Sequence, residues 1–454
     1  MDGQATAPLW SDDAAPAGDE VDALPRRADL VIVGAGFTGL WTAYHYLRRR
    51  PDAHVVILEA ERVGFGASGR NGGWASALYP VGASVLARRY GAPAARAMGT
   101  HLRASVDAIG EIARAEGIEC DYIKGGTISL ARSPAQVARA RDEVASHQAW
   151  GGRSIWFDRE AAQARIQASR VLGASFDPDC ARLHPRRLVD GLARVVRARG
   201  GQIIEGTPVA GASPGTVVVA GGHTIRARQI VRATEAWTAR LPSLRRRIAP
   251  VYSLMVATEP LAPALWEEIG LAKRETFSDH RHVIIYGQRT PDDRIAFGGR
   301  GAPYHPFSGI SPAFDHDPRV FAALRATLRS LLPQLASVAF THAWGGPLGI
   351  ARDWHPSVGY DSGAGVGWAG GYVGDGVAAS QLAGRTLADL LVGEPSERTE
   401  LPWIGHHSPS WEPEPLRWAG INLGLKAAEW ADREEERTGK PALLGRALGA
   451  LTGH

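Results

Sequence analysis

Cysteine is almost missing from this chain: Cys120 and Cys180 are the only two among 454 residues. Two thiols exclude a disulfide framework and a zinc cluster and suit a reducing compartment, so the cytoplasm is the expected location. Long apolar runs are missing as well. No stretch approaches the roughly twenty residues that a membrane span needs, so no transmembrane segment is expected. Net charge is only +4, and the arginines sit in short clusters such as Arg48-Arg49-Arg50, not in a basic stripe interleaved with aromatics. Nucleic acid is therefore not an expected partner. No sequence period of roughly 20–50 residues recurs, which removes solenoids and propellers. No Ser-His-Asp or metal-ligand spacing stands out, so no metal site is expected. Residues 1–27 hold Asp, Glu, Ala and Pro with no arginine before Arg26. They lack the pattern of a secretory signal and read as a mildly acidic disordered tail.

What is present is glycine at particular spacings. Ala28 to Val33 reads as a buried strand and Phe37 to Arg50 as a helix, with Gly34, Gly36 and Gly39 between them. In that G-x-G-x-x-G order the first glycine turns the chain, the second admits a pyrophosphate, and the third lets helix and strand pack closely. The helix start supplies unpaired N–H groups and the positive end of a dipole. His54 to Leu58 is the second strand, and Glu59 at its end is placed to accept ribose hydroxyls while repelling a 2′-phosphate. The unit is a dinucleotide site.

A second glycine-rich loop follows at Val63 to Trp74, and a third at Gly371 to Gly376 opens a helix to Val392. Helix–glycine–strand grammar recurs at 185–205, whereas 250–300 has the alternation of antiparallel strands. The expected class is α/β, or α+β in two domains. A Rossmann-like nucleotide domain (28–110, 181–249 and 336–400) is interleaved with an antiparallel-sheet substrate domain (111–180 and 250–335). A linker and helix occupy 401–454. The terminal helix, with Leu416, Trp418, Ile421, Leu423, Leu425 and Trp430, either packs on the protein's own surface or meets a partner.

Taken together, Gly34–Gly39, G-A-S-G-R-N-G-G (Gly66 to Gly73) and G-G-Y-V-G-D-G-V (Gly370 to Val377) resemble the D-amino-acid-oxidase-like family of FAD-dependent oxidoreductases. The resemblance covers about residues 28–395. Trp344 to Gly359 resembles the segment that precedes the final flavin loop in this family, and Arg294 to Tyr304 and Ala257 to Leu261 are similar to its γ-glutamylputrescine-oxidase-type branch. It implies FAD as cofactor, held by Gly34, Gly36, Phe37, Thr38, Gly39, Glu59 and Ala60 around the ADP half. Val209 and Ala233 flank the same half. Ser68, Arg70, Asn71, Gly72 and Gly73 wrap the middle, and Gly371, Gly374, Gly376 and Val377 face the redox edge. Relatives that attach FAD covalently use a cysteine within the segment equivalent to Trp344–Ala351, or a histidine where Arg70 or a neighbour stands. Neither occurs here, which implies non-covalent FAD. The lysine that pairs with the carboxylate of simple N-methyl amino acids has no counterpart near Ala378, so an amine substrate gains weight.

The resemblance further implies oxidation of a C–N bond in an amine or N-substituted amino acid. Hydride passes to flavin N5, the imine hydrolyses to an aldehyde or keto acid, and molecular oxygen reoxidises the flavin to give peroxide. The alternative is a dehydrogenase that hands its electrons to a quinone or protein carrier. Protein groups then mainly orient the substrate and tune charge. Arg300, ending a strand before a glycine turn, is a candidate anion clamp or a surface arginine. Tyr252 and Tyr286 lie on strands of the insert and either face the flavin or fill the core, as do His282 and Trp344. Asp375 either selects a cationic amine or caps the last helix. Trp74 offers an aromatic wall, and His184 is expected to cap the helix begun by Pro185.

Overall fold

A computed structural model describes residues 7–11 and 23–442. Two eight-stranded sheets dominate it. The first runs in the order 357–361, 366–370, 224–232, 27–33, 55–58, 202–204, with 216–219 also paired to 224–232 and 209–213 to 216–219. From 366–370 to 202–204 its strands pair in parallel. Leu30, Val31 and Ile32 are wholly buried, as a parallel strand covered on both faces requires. The helices Phe37–Leu47 and Gly376–Val392 cover one face, so tightly that a Cβ on Gly384 would stand 2.5 Å from that of Trp41.

The second sheet runs 340–351, 248–258, 295–299, 285–289, 276–279, 127–131, 173–177, 155–158. It is antiparallel except where 276–279 meets 127–131. Tyr252, Leu254, Val256, Phe277 and Phe297 fill its core with leucines from the helix Pro318–Leu331. The architecture is the expected one, a Rossmann-like domain interleaved with a sheet domain.

Three boundaries differ from the sequence reading. The strand Phe340–Ala351, assigned above to the nucleotide domain, pairs along its whole length with Ile248–Thr258 and belongs to the second sheet. The short strands Ile155–Asp158 and Gly173–Asp177 lacked enough alternation to be read. The supposed tail is not uniformly a tail: Leu9 and Trp10 are buried, and the first strand begins at Arg27. The rest of the disorder reading, and residues 443–454 of the terminal segment, lie outside the described residues.

The helix Leu416–Thr438 packs on the protein's own surface. Its Asp432 accepts the His282 and Val283 N–H groups, and its Glu435 pairs with Arg139 at 2.6 Å and His282 at 3.0 Å. His282 is thereby a structural anchor. Among the described residues no helix is long and apolar enough to cross a membrane.

Candidate active site

The first glycine turn is built by backbone packing against backbone. Gly34 has φ +108°, and a Cβ there would lie 2.6 Å from the Ala233 carbonyl oxygen. A Cβ on Gly39 would lie 2.0 Å from Gly34 O, and one on Gly36 would lie 2.9 Å from Ser68 Oγ. Ser68 Oγ accepts the Phe37 N–H at 2.8 Å, and the Thr38 hydroxyl meets that of Tyr372 at 3.0 Å. Glu59 accepts the Ala35 and Glu61 N–H groups at 2.8 and 3.1 Å. Burial pushes its carboxyl up, opposed by those two bonds. Ala60 follows in the open, and Val209 starts a half-buried strand.

The second loop leans on the second sheet. Arg70 pairs with Asp315 at 2.8 Å and donates to Gly345 O at 3.0 Å, so its guanidinium ties the domains together. The Asn71 amide donates to Ala67 O and Ser68 O, and its oxygen accepts the Gly73 N–H at 2.8 Å. A Cβ on Gly72 would stand 2.6 Å from the Tyr286 ring, which also meets Trp74 edge-on at 6.1 Å. Gln288, unremarked in the sequence, donates to Gly72 O at 2.6 Å.

The last glycine turn rests on a carboxyl that sequence reasoning missed. Glu235 accepts the Gly371 N–H at 2.9 Å and the Gly349 N–H at 3.3 Å. It sits in a left-handed conformation, φ +40°, rare for glutamate. Burial pushes its carboxyl up to about 7 despite the backbone bonds. The chain offers no stronger signal for it than a carboxylate three residues past the strand Thr224–Arg232.

Arg300 donates to Val373 O, and its guanidinium lies 2.7 Å from where a Gly374 Cβ would stand. Asp375 occupies the N-cap of Gly376–Val392, yet its side chain caps nothing and makes no hydrogen bond, so the capping alternative is set aside. Burial raises its carboxyl, with the Arg300 charge opposing. The Arg300 charge acts on both Asp375 and Tyr286, but the contacts of Tyr286 are with Gly72, Trp74 and Ser253. Tyr252 does not join them: it is fully buried between His305 and Phe314, its hydroxyl engaged by Ser311. His184 does cap its helix, accepting the Arg187 N–H at 3.2 Å.

The helix starts at Gly36 and Asp375, like those before Ala83, Ala92, Pro263 and Leu416, have no capping bond from their own N-cap side chain, although Ser68 takes the Phe37 N–H. Their first-turn N–H groups suit a pyrophosphate at one and an electron-rich carbonyl edge at the other. The buried Trp74 indole N–H likewise lacks a protein partner among the described residues. The donors present fit FAD. Residues 29–390 match the family described as DAO, FAD dependent oxidoreductase. The chain belongs to this family.

FAD is accordingly its cofactor, and the enzyme is an FAD-dependent oxidoreductase. The chain is 30% identical over 372 residues, 81% of itself and 84% of the relative, to gamma-glutamylputrescine oxidoreductase of Escherichia coli (strain K12). Glycine oxidase from Geobacillus kaustophilus superposes with a TM-score of 0.68 at 22% identity, over 82% of this chain and 96% of that one. L-proline dehydrogenase from P. horikoshii gives 0.69 at 19%, over 84% and 98%. At those identities the two structures bear on the fold alone.

Proposed function

We propose that this flavoenzyme oxidises a C–N bond of an amine or N-substituted amino acid, with the Arg300–Asp375 end of the last glycine turn as its substrate pole. The observation that carries the reading is Asp375: a half-buried carboxyl at a helix start with no hydrogen bond to the protein among the described residues. A carboxyl so placed feels the Arg300 charge but leaves its oxygens open to hydrogen bonds from a second cation. A substrate ammonium supplies that cation. The raised affinity of Asp375 for a proton also suits it to take the one that must leave nitrogen before the bond is oxidised. When bound, FAD accepts the electrons from the substrate carbon and returns them to molecular oxygen as peroxide.

Arg300 holds an anionic group on the same substrate, its geometry fixed by Val373 O. Tyr286 lines the wall, its hydroxyl occupied by Ser253 at 2.8 Å. γ-Glutamylputrescine, the compound in the Escherichia coli relative's name, joins an amino acid to an alkylamine and offers both poles a partner. The cofactor residues are those set out above, with FAD held non-covalently, since no cysteine lies within Trp344–Ala351 and arginine stands at position 70. Burial raises the Cys120 and Cys180 thiols, which keeps them protonated and inert and accords with work in the cytoplasm. A partner contact would use the exposed face of the terminal helix, which carries Leu416, Leu423 and Trp430.

The test is anaerobic mixing of FAD-loaded enzyme with an amine panel, followed by peroxide assay in air. Bleaching by an amine, with kcat/KM lowered at least about tenfold in Asp375→Asn, is expected. No bleaching by any amine would overturn the reading. Bleaching without peroxide would leave a dehydrogenase.

A further inference from the structure

The loop at Arg70–Gly73 is held in an unusual way. Three successive carbonyl oxygens each accept a hydrogen bond from a side chain remote in sequence. Trp344 Nε1 donates to Arg70 O at 2.9 Å, Trp10 Nε1 to Asn71 O at 2.8 Å, and Gln288 Nε2 to Gly72 O at 2.6 Å. In a trans peptide unit the N–H points opposite to the carbonyl. Pulling the three carbonyls toward these donors therefore turns the Asn71 and Gly72 N–H groups the other way. Neither of those N–H groups bonds a protein acceptor among the described residues.

Two of the donors belong to the second sheet, but Trp10 comes from the N-terminal segment. It is 1% exposed, packs edge-on against His184 at 4.9 Å and Trp344 at 6.3 Å, and shares a cluster with Leu9, Met255, Ala257 and Ala296. An indole needs no such site merely to be buried, and its N–H reaches the one loop carbonyl that the sheet side chains leave over.

We propose that Trp10 is a positioning residue for the cofactor: its indole N–H, with those of Trp344 and Gln288, fixes the Asn71–Gly72 amides as hydrogen-bond donors to bound FAD. The N-terminal segment is thereby part of the active-site architecture. The inference requires only that FAD binds, and it stands whatever the substrate proves to be.

Trp10→Phe keeps a ring and removes the N–H, leaving a buried carbonyl unsatisfied. It is expected to raise the Kd of the apoprotein for FAD about tenfold. It should also open a tryptic cut after Arg70 in the apoprotein. Leu9→Ala trims the same cluster without touching the loop, and should lower Tm while leaving the Kd within about twofold. Trp10→Met replaces the Phe variant if that fails to fold, with the same expectations. Trp10→Phe and Leu9→Ala lowering Tm alike, with FAD affinity and the cut after Arg70 unchanged in both, would reduce Trp10 to simple packing and overturn the proposal.

Discussion

The first and last glycine turns serve one cofactor but are supported by different means. At Gly34–Gly39 the tightest contacts are backbone on backbone, Gly39 against Gly34 O and Gly34 against Ala233 O, with the Glu59 and Ser68 side chains taking the Ala35 and Phe37 N–H groups. At Gly371–Gly376 the support is side chains, the Glu235 carboxyl under Gly371 and the Arg300 guanidinium on Val373 O. A turn made of backbone contacts is specified by its own few residues. A turn propped by side chains from distant strands is adjustable, and it is the one that carries the proposed substrate pole.

The contrast is broken most severely at Gly39. A Cβ placed 2.0 Å from Gly34 O meets backbone that cannot yield. Gly39→Ala should therefore cost more than about 4 kcal/mol, with loss of folded protein in urea titration. Intact stability in this variant would show that the first turn is as adjustable as the last.

Next in size is the pH dependence of the last turn. Burial raises the Glu235 carboxyl from 4.5 unfolded to about 7 folded, so the folded state holds its proton more tightly. Its contribution is fully present below about pH 4.5 and is lost as pH rises through 7, by at most roughly 3 kcal/mol. Apoprotein melting temperature should fall across that window, and Glu235→Gln should flatten this component. A wild-type profile identical to that of Glu235→Gln would refute it.

Gly374→Ala is gentler than Gly39→Ala, because the atom it meets is the end of the Arg300 side chain. The residual cost is φ +100°, worth about 1–3 kcal/mol, read by the same urea titration. A loss equal to that of Gly39→Ala would erase the distinction between the turns. Smallest is Asp375→Asn, which touches no protein hydrogen-bond partner. Apoprotein stability should stay within about 1 kcal/mol of wild type. A larger loss would mean that Asp375 holds the turn instead of facing a substrate.

Legibility followed the range of the interactions. The helices beginning at Phe37 and Pro185 were readable because apolar periodicity and an N-terminal proline are local signals. The strand Phe340–Ala351 was visible in its motif but not in its domain, because only pairing with Ile248–Thr258 assigns it to a sheet. Trp10 was lost in a stretch whose composition speaks of disorder; two apolar residues cannot outweigh their polar neighbours until their pocket exists. Glu235 and Gln288 left no pattern, since a polar residue becomes informative only when its buried partners are known. Tyr252 and Tyr286 look alike on their strands, and the register of the second sheet sends one into the core and the other to the loop.

By itself the sequence determined the dinucleotide turn, the alternation of helix and strand, and the family, because each is written in spacings of a few residues and enforced by backbone sterics. The tertiary structure alone decided which polar groups are propped and which are left open. Satisfaction of a carboxylate or an indole N–H depends on atoms that the chain brings together from tens to hundreds of residues away. That is why Asp375 stands without a protein partner and Trp10 with one.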